Sequence, residues 1–351
     1  MKKILFTGGG SAGHVLPNVA LIEEILSTGE ADVCYMGTDG IEKQILSEWK
    51  IPYYQIECPK LIRGGGFQSI LQNVKIPAAF SRAKKQALQG LETIRPDVVF
   101  SKGGYVSLPV VFAARKLKIP CLAHESDLSV GLANKLAAGK CKYVFTSFPE
   151  TAKTVRNGKY SGAPLRKTVF SSTRLQARKK LSIPSDATVL LVFGGGSGSA
   201  AINDALRNVL KTLTESYFVL HVCGKGNLRQ STLENYRQFE FISDMGSVYA
   251  AADLVISRAG AGAVFEIMAL KKPSLLIPLE GQTRGDQAEN AEYFRKRGLC
   301  HVLKQTDLNN LVDAIQAALH DKEMKERLLS SSFTQGNRVI LDEIRSILKA
   351  R

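Results

Sequence analysis

Short apolar runs rich in β-branched residues alternate along this chain with longer stretches whose apolar positions recur at helical spacing. Runs at 3–7, 31–36, 97–101, 120–123 and 143–146 predict strands, each followed by a helical pattern, in the way parallel α/β sheets require. The alternation then starts again, with runs at 189–193, 218–223, 254–257 and 274–277. Between the two series lies "RNGKYSGAPLRKTVFSS", where Gly158, Gly162 and Pro164 stand close together without periodicity, so a linker is expected near 161–172. The expected fold class is α/β, with two doubly wound, Rossmann-like domains facing across a cleft. Their expected bounds are 1–162 and 163–335, with a final helix at 336–351 packing back on the first domain.

Composition narrows the possibilities. The 351 residues are 44% hydrophobic, enough for two cores. Six cysteines stand singly, without zinc spacing or the clustering of a disulfide scaffold, which suits a reducing cytoplasm. The opening "MKKILFTGGG" breaks into glycine too early for a signal peptide, and no run approaches the roughly 20 apolar residues of a membrane span. The formal charge of +15 points to an anionic partner: nucleic acid, an acidic membrane surface or phosphate-bearing substrates.

The two series share a glycine-rich turn. "FTGGGSAGHVLPNVAL" carries Gly8, Gly9 and Gly10 between a strand and a helix, and "FGGGSGSAAINDAL" repeats the arrangement with Gly194, Gly195 and Gly196. Such turns let an anion approach the N–H groups of a helix N-terminus, and two of them suggest two substrates, one per domain. Neither fits the dinucleotide fingerprint, because no convincing acidic partner follows about 20 residues on. His14 is found in the first copy alone.

Seven segments, "TGGGSAGHVLPNVAL", "SKGGYVSLPV", "HESDLSVGLANKLA", "SGAPLRK", "FGGGSGSAAIN", "SRAGAGAVFEI" and "GDQAENAEYF", stand in the order and approximate spacing of the MurG family, which the chain resembles over nearly its whole length. That family consists of peripheral membrane glycosyltransferases of bacterial peptidoglycan synthesis. The resemblance implies the GT-B fold, UDP-N-acetylglucosamine as donor in the C-terminal domain, and a polyprenyl-diphosphate-linked muramoyl-pentapeptide as acceptor on the N-terminal domain. It also implies inversion at the anomeric carbon, with no cofactor and no catalytic metal. No Asp-x-Asp pair is present to hold one.

On the donor side, Glu266 lies in a helix following a strand and turn, where a carboxylate can accept bonds from both ribose hydroxyls; a solvated helix charge is the plainer reading. The resemblance makes Glu266 the ribose ligand and the turn Gly260, Ala261, Gly262 the start of a diphosphate cradle running to Val264. It adds Arg166 for the diphosphate, Ser197 in the second glycine loop, and the amides of Gln287 and Asn290 for sugar hydroxyls. The commonest family pattern has "GGSQG" and "QQ" where this chain has "GGGSG" and "DQ", so contacts at Gly198 and Asp286 depart from it.

On the acceptor side, His14 is the expected general base, since a neutral imidazole at a helix N-terminus can take the proton of the attacking hydroxyl. A loop-capping role is the alternative. Glu125, ending a strand beside His124, is the second candidate base. Gly10, Ser11 and Gly13 of the first loop, Gly103, Gly104 and Tyr105 of "SKGGYVSLPV", His124 and Asn134 complete the expected acceptor site, although the Gly103–Gly104 turn would also serve helix packing. Asp127 stands where many relatives have asparagine.

The segment 61–88 places Phe67, Ile70, Leu71, Val74 and Phe80 among Arg63, Lys75, Arg82, Lys84 and Lys85. An apolar face flanked by cations suits an anionic membrane surface, and core packing of a long helix gives the same spacing. Nucleic acid is not expected, because no helix-turn-helix, zinc spacing or aromatic-basic platform accompanies the charge. Two other classes remain open: an enzyme of the same fold acting on another acceptor, such as a diacylglycerol glycosyltransferase or a UDP-sugar epimerase, and a non-catalytic nucleotide or nucleic-acid binder.

Overall fold

The computed structural model describes residues 1–59, 76–196, 198–281 and 285–350. They form two compact units, Met1–Arg166 with Thr334–Arg351, and Lys167–Phe333.

The first unit is a parallel sheet of β1 (Lys3–Thr7), β2 (Asp32–Gly37), β3 (Tyr53–Gln55), β4 (Val98–Ser101), β5 (Cys121–Glu125), β6 (Tyr143–Thr146) and β7 (Gly158–Tyr160). Its order is β3-β2-β1-β4-β5-β6-β7, so strand order reverses between β1 and β4. α1 (Leu16–Thr28), α2 (Ile41–Leu46), α3 (Ile76–Ile94), α4 (Ser107–Lys116), α5 (Leu132–Ala137) and α6 (Pro149–Thr154) make the crossovers. Because helices cover both faces, β1 and β4 are buried almost throughout, which is why they read as unbroken apolar runs.

The second unit repeats the plan with β8 (Val189–Phe193), β9 (Phe218–Val222), β10 (Tyr236–Phe239), β11 (Leu254–Ser257), β12 (Ser274–Leu276) and β13 (His301–Val302), ordered β10-β9-β8-β11-β12-β13. Here the reversal falls between β8 and β11. Its helices are α7 (Arg174–Lys180), α8 (Ala200–Thr214), α9 (Met245–Ala251), α10 (Ala261–Ala269), α11 (Asp286–Arg295), α12 (Leu311–His320) and α13 (Lys322–Ser330).

α14 (Gly336–Lys349) returns to the first unit, where Ile340, Leu341 and Ile344 join Phe6, Val19, Ile22 and Phe100 in one core. The return is pinned by Gly336 N–H donating to Ala163 O at 2.8 Å, and by Asn337, which accepts from Leu165 N–H at 2.8 Å.

Four short strands, β3, β7, β10 and β13, are absent from the sequence reading; each carries partly exposed positions along two to four residues. Of the basic apolar segment, residues 61–75 lie outside the described residues, among them Arg63, Phe67, Ile70, Leu71, Val74 and Lys75. Phe80 is on α3, half-buried, with its ring edge-on to Phe112 at 5.8 Å, while Arg82 and Lys85 are exposed. Among the described residues no helix is long and apolar enough to cross a membrane.

Candidate active site

Each unit presents glycine-bearing turns at the carboxyl ends of the two strands flanking its reversal, the position where doubly wound sheets take ligands. In the first unit these are Gly8–Gly10 after β1 and Gly103–Gly104 after β4. They pack directly on one another: a Cβ on Gly104 would lie 2.5 Å from Gly9 O and 3.2 Å from His14 Nδ1, so a side chain at 104 is excluded by contact as well as by its φ of +76°. His14 closes a single 3₁₀ turn, Ala12–His14, just before α1, and its Nδ1 stands 2.9 Å from Ser11 Oγ. With Nδ1–H donating to Ser11, the lone pair lies on Nε2, the arrangement a base needs.

Where an anion cradle is expected at Gly8–Gly10, the chain's own Glu42 stands against Gly9 and Gly10. Glu42 is fully buried, and its Oε2 accepts from Gly10 N–H at 3.2 Å. Gly10 is covered on its other side by the Tyr105 ring, 2.5 Å from where a Cβ would be. Ser11 and Gly13 are exposed.

The β5 end is a holding device. Glu125 Oε1 accepts from the N–H groups of Ser126 at 2.9 Å and Asp127 at 3.2 Å; Oε2 accepts from Gly131 N–H at 2.8 Å and Asn134 Nδ2 at 3.0 Å. These bonds tie Glu125, the second candidate base, to the 126–131 turn. His124 is fully buried with Nε2 at 3.2 Å from Gly162 O, and burial, then the Lys102 charge, holds its pKa well below the usual range. Asn134, also buried, donates to His124 O and stands against Gly103. His124 and Asn134, both expected at the acceptor site, are thus buried beside the β5 end. Lys102, which sequence reasoning missed, is 2% exposed; burial lowers its pKa while Glu125 and Asp127 oppose that shift.

The second unit's turns are open only in part: a Cβ on Gly194 would lie 2.4 Å from Ser199, and one on Gly198 2.2 Å from Cys223 O. Among the described residues, no heavy atom lies within 4 Å of a Cβ position on Gly195, Gly260 or Gly262. Gly260 starts α10 with no side-chain cap, so the helix offers its first N–H groups to the surroundings. Ser257 and Ala261 are buried around that turn. Ser197 lies outside the described residues.

Glu266, half-buried in α10, receives a hydrogen bond from Tyr249 O–H on Oε2 at 3.1 Å. Tyr249 is fully buried and edge-on to Phe193, the residue before the glycine turn, at 5.9 Å. Arg258 ties the same loops together: its guanidinium donates to Ser199 Oγ at 2.8 Å, Gln305 Oε1 at 2.6 Å and Pro278 O at 3.0 Å. Neither Tyr249 nor Arg258 was singled out from the sequence, although Arg258 sits between a strand end and a glycine turn, where a buried cation could have been suspected. Gln287 accepts Leu279 N–H at 3.0 Å, whereas Asn290 is fully buried and donates to Ala259 O at 3.4 Å. Arg166 is half-buried at the last position before Lys167.

Residues 4–146 match the glycosyltransferase family 28 N-terminal domain and residues 189–344 its C-terminal domain. The chain is 45% identical, over 88% of both chains, to the UDP-N-acetylglucosamine--N-acetylmuramyl-(pentapeptide) pyrophosphoryl-undecaprenol N-acetylglucosamine transferase of Clostridium kluyveri. It is 40% identical to the transferase of the same name from Lachnospira eligens over 99% of both. The crystal structure of Acinetobacter baumannii MurG superposes with a TM-score of 0.75 at 25% identity, covering 99% of this chain and all of that one. The calicheamicin glycosyltransferase CalG4 shares the fold, with a TM-score of 0.71 at 18% identity, covering 99% of this chain and 98% of its own. Two parallel Rossmann-like units with these matches define a GT-B glycosyltransferase of family 28. Within that class the chain belongs to the MurG family of N-acetylglucosamine transferases.

Proposed function

We propose that this protein transfers N-acetylglucosamine from UDP-N-acetylglucosamine to the C4 hydroxyl of the muramic acid in a polyprenyl-diphosphate-linked muramoyl-pentapeptide, inverting the anomeric carbon. The observation that carries the reading is the uncapped start of α10 at Gly260–Gly262, with Glu266 of the same helix held by Tyr249 of α9. Helix N–H groups there would receive the donor diphosphate and stabilise the charge that grows as UDP leaves. Glu266, its rotation fixed by Tyr249, would accept from the ribose hydroxyls.

His14 would take the proton of the attacking hydroxyl through Nε2 while Ser11 holds Nδ1. Gly103, Gly104 and Tyr105 line the loop beside it and belong to the acceptor site in this reading, with Ser11 and Gly13. Gln287, and on the resemblance alone Arg166 and Ser197, belong to the donor. No metal or cofactor takes part. The protein would work at the cytoplasmic face of the cell membrane, held peripherally by the basic apolar segment that includes Phe80, Arg82 and Lys85; its net charge serves anionic lipid and substrate phosphates and not nucleic acid.

The test is UDP release from UDP-N-acetylglucosamine with the lipid-linked acceptor, with and without EDTA. Acceptor-dependent release that survives EDTA is the expected result. Release without acceptor favours another enzyme of this fold, and loss in EDTA restored by magnesium overturns the metal-free mechanism.

A further inference from the structure

A glycine turn ahead of a helix is built to surround negative charge, and in the first unit that charge is supplied by the chain. Glu42, the second residue of α2, brings its carboxylate face-on to Gly9: its carboxyl carbon and both oxygens lie 2.5 to 2.6 Å from where a Cβ on Gly9 would be, so only glycine allows the approach. Among the described residues, every donor it uses is neutral. Oε2 accepts from Gly10 N–H at 3.2 Å, and Oε1 from Thr38 N–H at 2.9 Å and Thr38 O–H at 2.5 Å.

No lysine or arginine among the described residues pairs with it. Its other neighbours are acids that stay protonated: burial first, then the Glu42 charge, pushes Tyr53 up and Cys58 up to about 12, and burial and Glu42 also raise Tyr105. A buried carboxylate without a cation is tolerated only where N–H and O–H groups converge on it, the property that equips such a loop to bind phosphate. A phosphate at Gly9–Gly10 would meet Glu42 at contact distance, like charge against like.

We infer that Glu42 is the resident anion of the first glycine loop and a positioning residue for His14, so that this loop aims the base and does not bind the acceptor's diphosphate. The link runs from Glu42 to Gly10 N–H, and from Ser11 Oγ, the next residue, to His14 Nδ1. Gly104 packed on Gly9 O and against the His14 ring completes the setting. This rests on the reading of His14 as base, and it leaves Gly103–Gly104 as the glycine turn of this unit nearest an acceptor.

Glu42→Gln keeps the shape but sets an NH₂ group against one of three donors. It should lower kcat about tenfold or more while KM for donor and acceptor hold. In a second arm, inorganic pyrophosphate is titrated while the amide resonances of Gly9 and Gly10 are followed. They should stay still in the wild type and shift in Glu42→Ala, where the cradle has been emptied.

Movement of those resonances in the wild type, silence in a folded Glu42→Ala, or a Glu42→Gln variant that loses acceptor affinity with kcat intact would each overturn the inference. Thermal unfolding reports whether the variants fold, and if the alanine variant does not, the kcat and KM of Glu42→Gln decide. Failure of the wild type to turn over the lipid-linked acceptor would remove the proposed function, while the pyrophosphate arm would still decide whether Glu42 fills the loop.

Discussion

The first and second units repeat one sheet plan and one turn chemistry, yet their turns are finished differently. Around Gly9 and Gly10 the space is taken by Glu42, Tyr105 and the opposing glycine turn; in the second unit Ser199 and Cys223 close on Gly194 and Gly198, while a Cβ on Gly195, Gly260 or Gly262 would meet no described atom beyond the chain beside it. A glycine turn thus has two uses that its sequence does not distinguish. It can admit a ligand's charge, or it can let the protein's own backbone and side chains close in to hold a neighbouring residue still.

The largest expected effect tests what the filled turn is for. Replacing His14 by alanine should lower kcat by about 10²- to 10⁴-fold, the usual contribution of a positioned base, while calorimetry should find UDP affinity unchanged. A raised acceptor KM with near-normal kcat would reduce His14 to a cap, and the filled turn to packing.

Acid tests whether the likeness of the units extends to their cores, since each buries a neutral histidine. His221 bridges Tyr236 O–H at 2.8 Å and Asn203 Oδ1 at 2.9 Å, and burial, with a smaller push from Arg207, lowers its pKa to about 4 from an ordinary 6.5. The unfolded chain therefore takes up a proton first. Stability should fall as pH drops below about 6.5 and level off below about 4, by up to about 3 kcal/mol from this residue. Denaturant titrations across that range should show the slope, and His221→Gln should reduce it, leaving the part that His124 contributes.

Alanine at the glycines separates filled from open directly. Gly9→Ala drives a methyl into the Glu42 carboxylate and should cost about 1 to 3 kcal/mol of folding stability. Gly262→Ala should leave folding within about 0.5 kcal/mol of wild type and raise the donor KM, because its methyl points where a ligand is proposed to sit. Equal unfolding midpoints for the two variants would erase the contrast.

The mildest effect concerns the carboxylate of the open side. Glu266→Gln should weaken UDP about tenfold, a little over 1 kcal/mol, with the fold intact; unchanged affinity in calorimetry would return Glu266 to a solvated helix charge.

The central strands could be read from the sequence because burial on both faces leaves an unbroken apolar signature, as in "KILF" or "VLLVF". The short edge strands could not: "YYQ" and "GKY" are half polar and owe their extension to one neighbour's hydrogen bonds. The site divided along the same line. His14, Gly260 and Glu266 stand in local turn patterns that a sequence displays, whereas Glu42 reaches Gly10 across 32 residues of sequence, and Tyr249 reaches Glu266 from a separate helix. Such partnerships exist only once the sheet has brought the elements together. Asn290 and Glu125 show the opposite difficulty: a polar side chain at a strand or helix end serves a buried carbonyl or a turn as readily as a substrate.

The return of α14 to the first unit has a consequence for biosynthesis. The core around Phe6, Val19 and Phe100 lacks Ile340, Leu341 and Ile344 until the ribosome has translated all of Lys167–Phe333. The first unit to leave the exit tunnel is therefore the last to be completed, and through that interval the nascent chain carries an uncovered apolar face that a chaperone could shield.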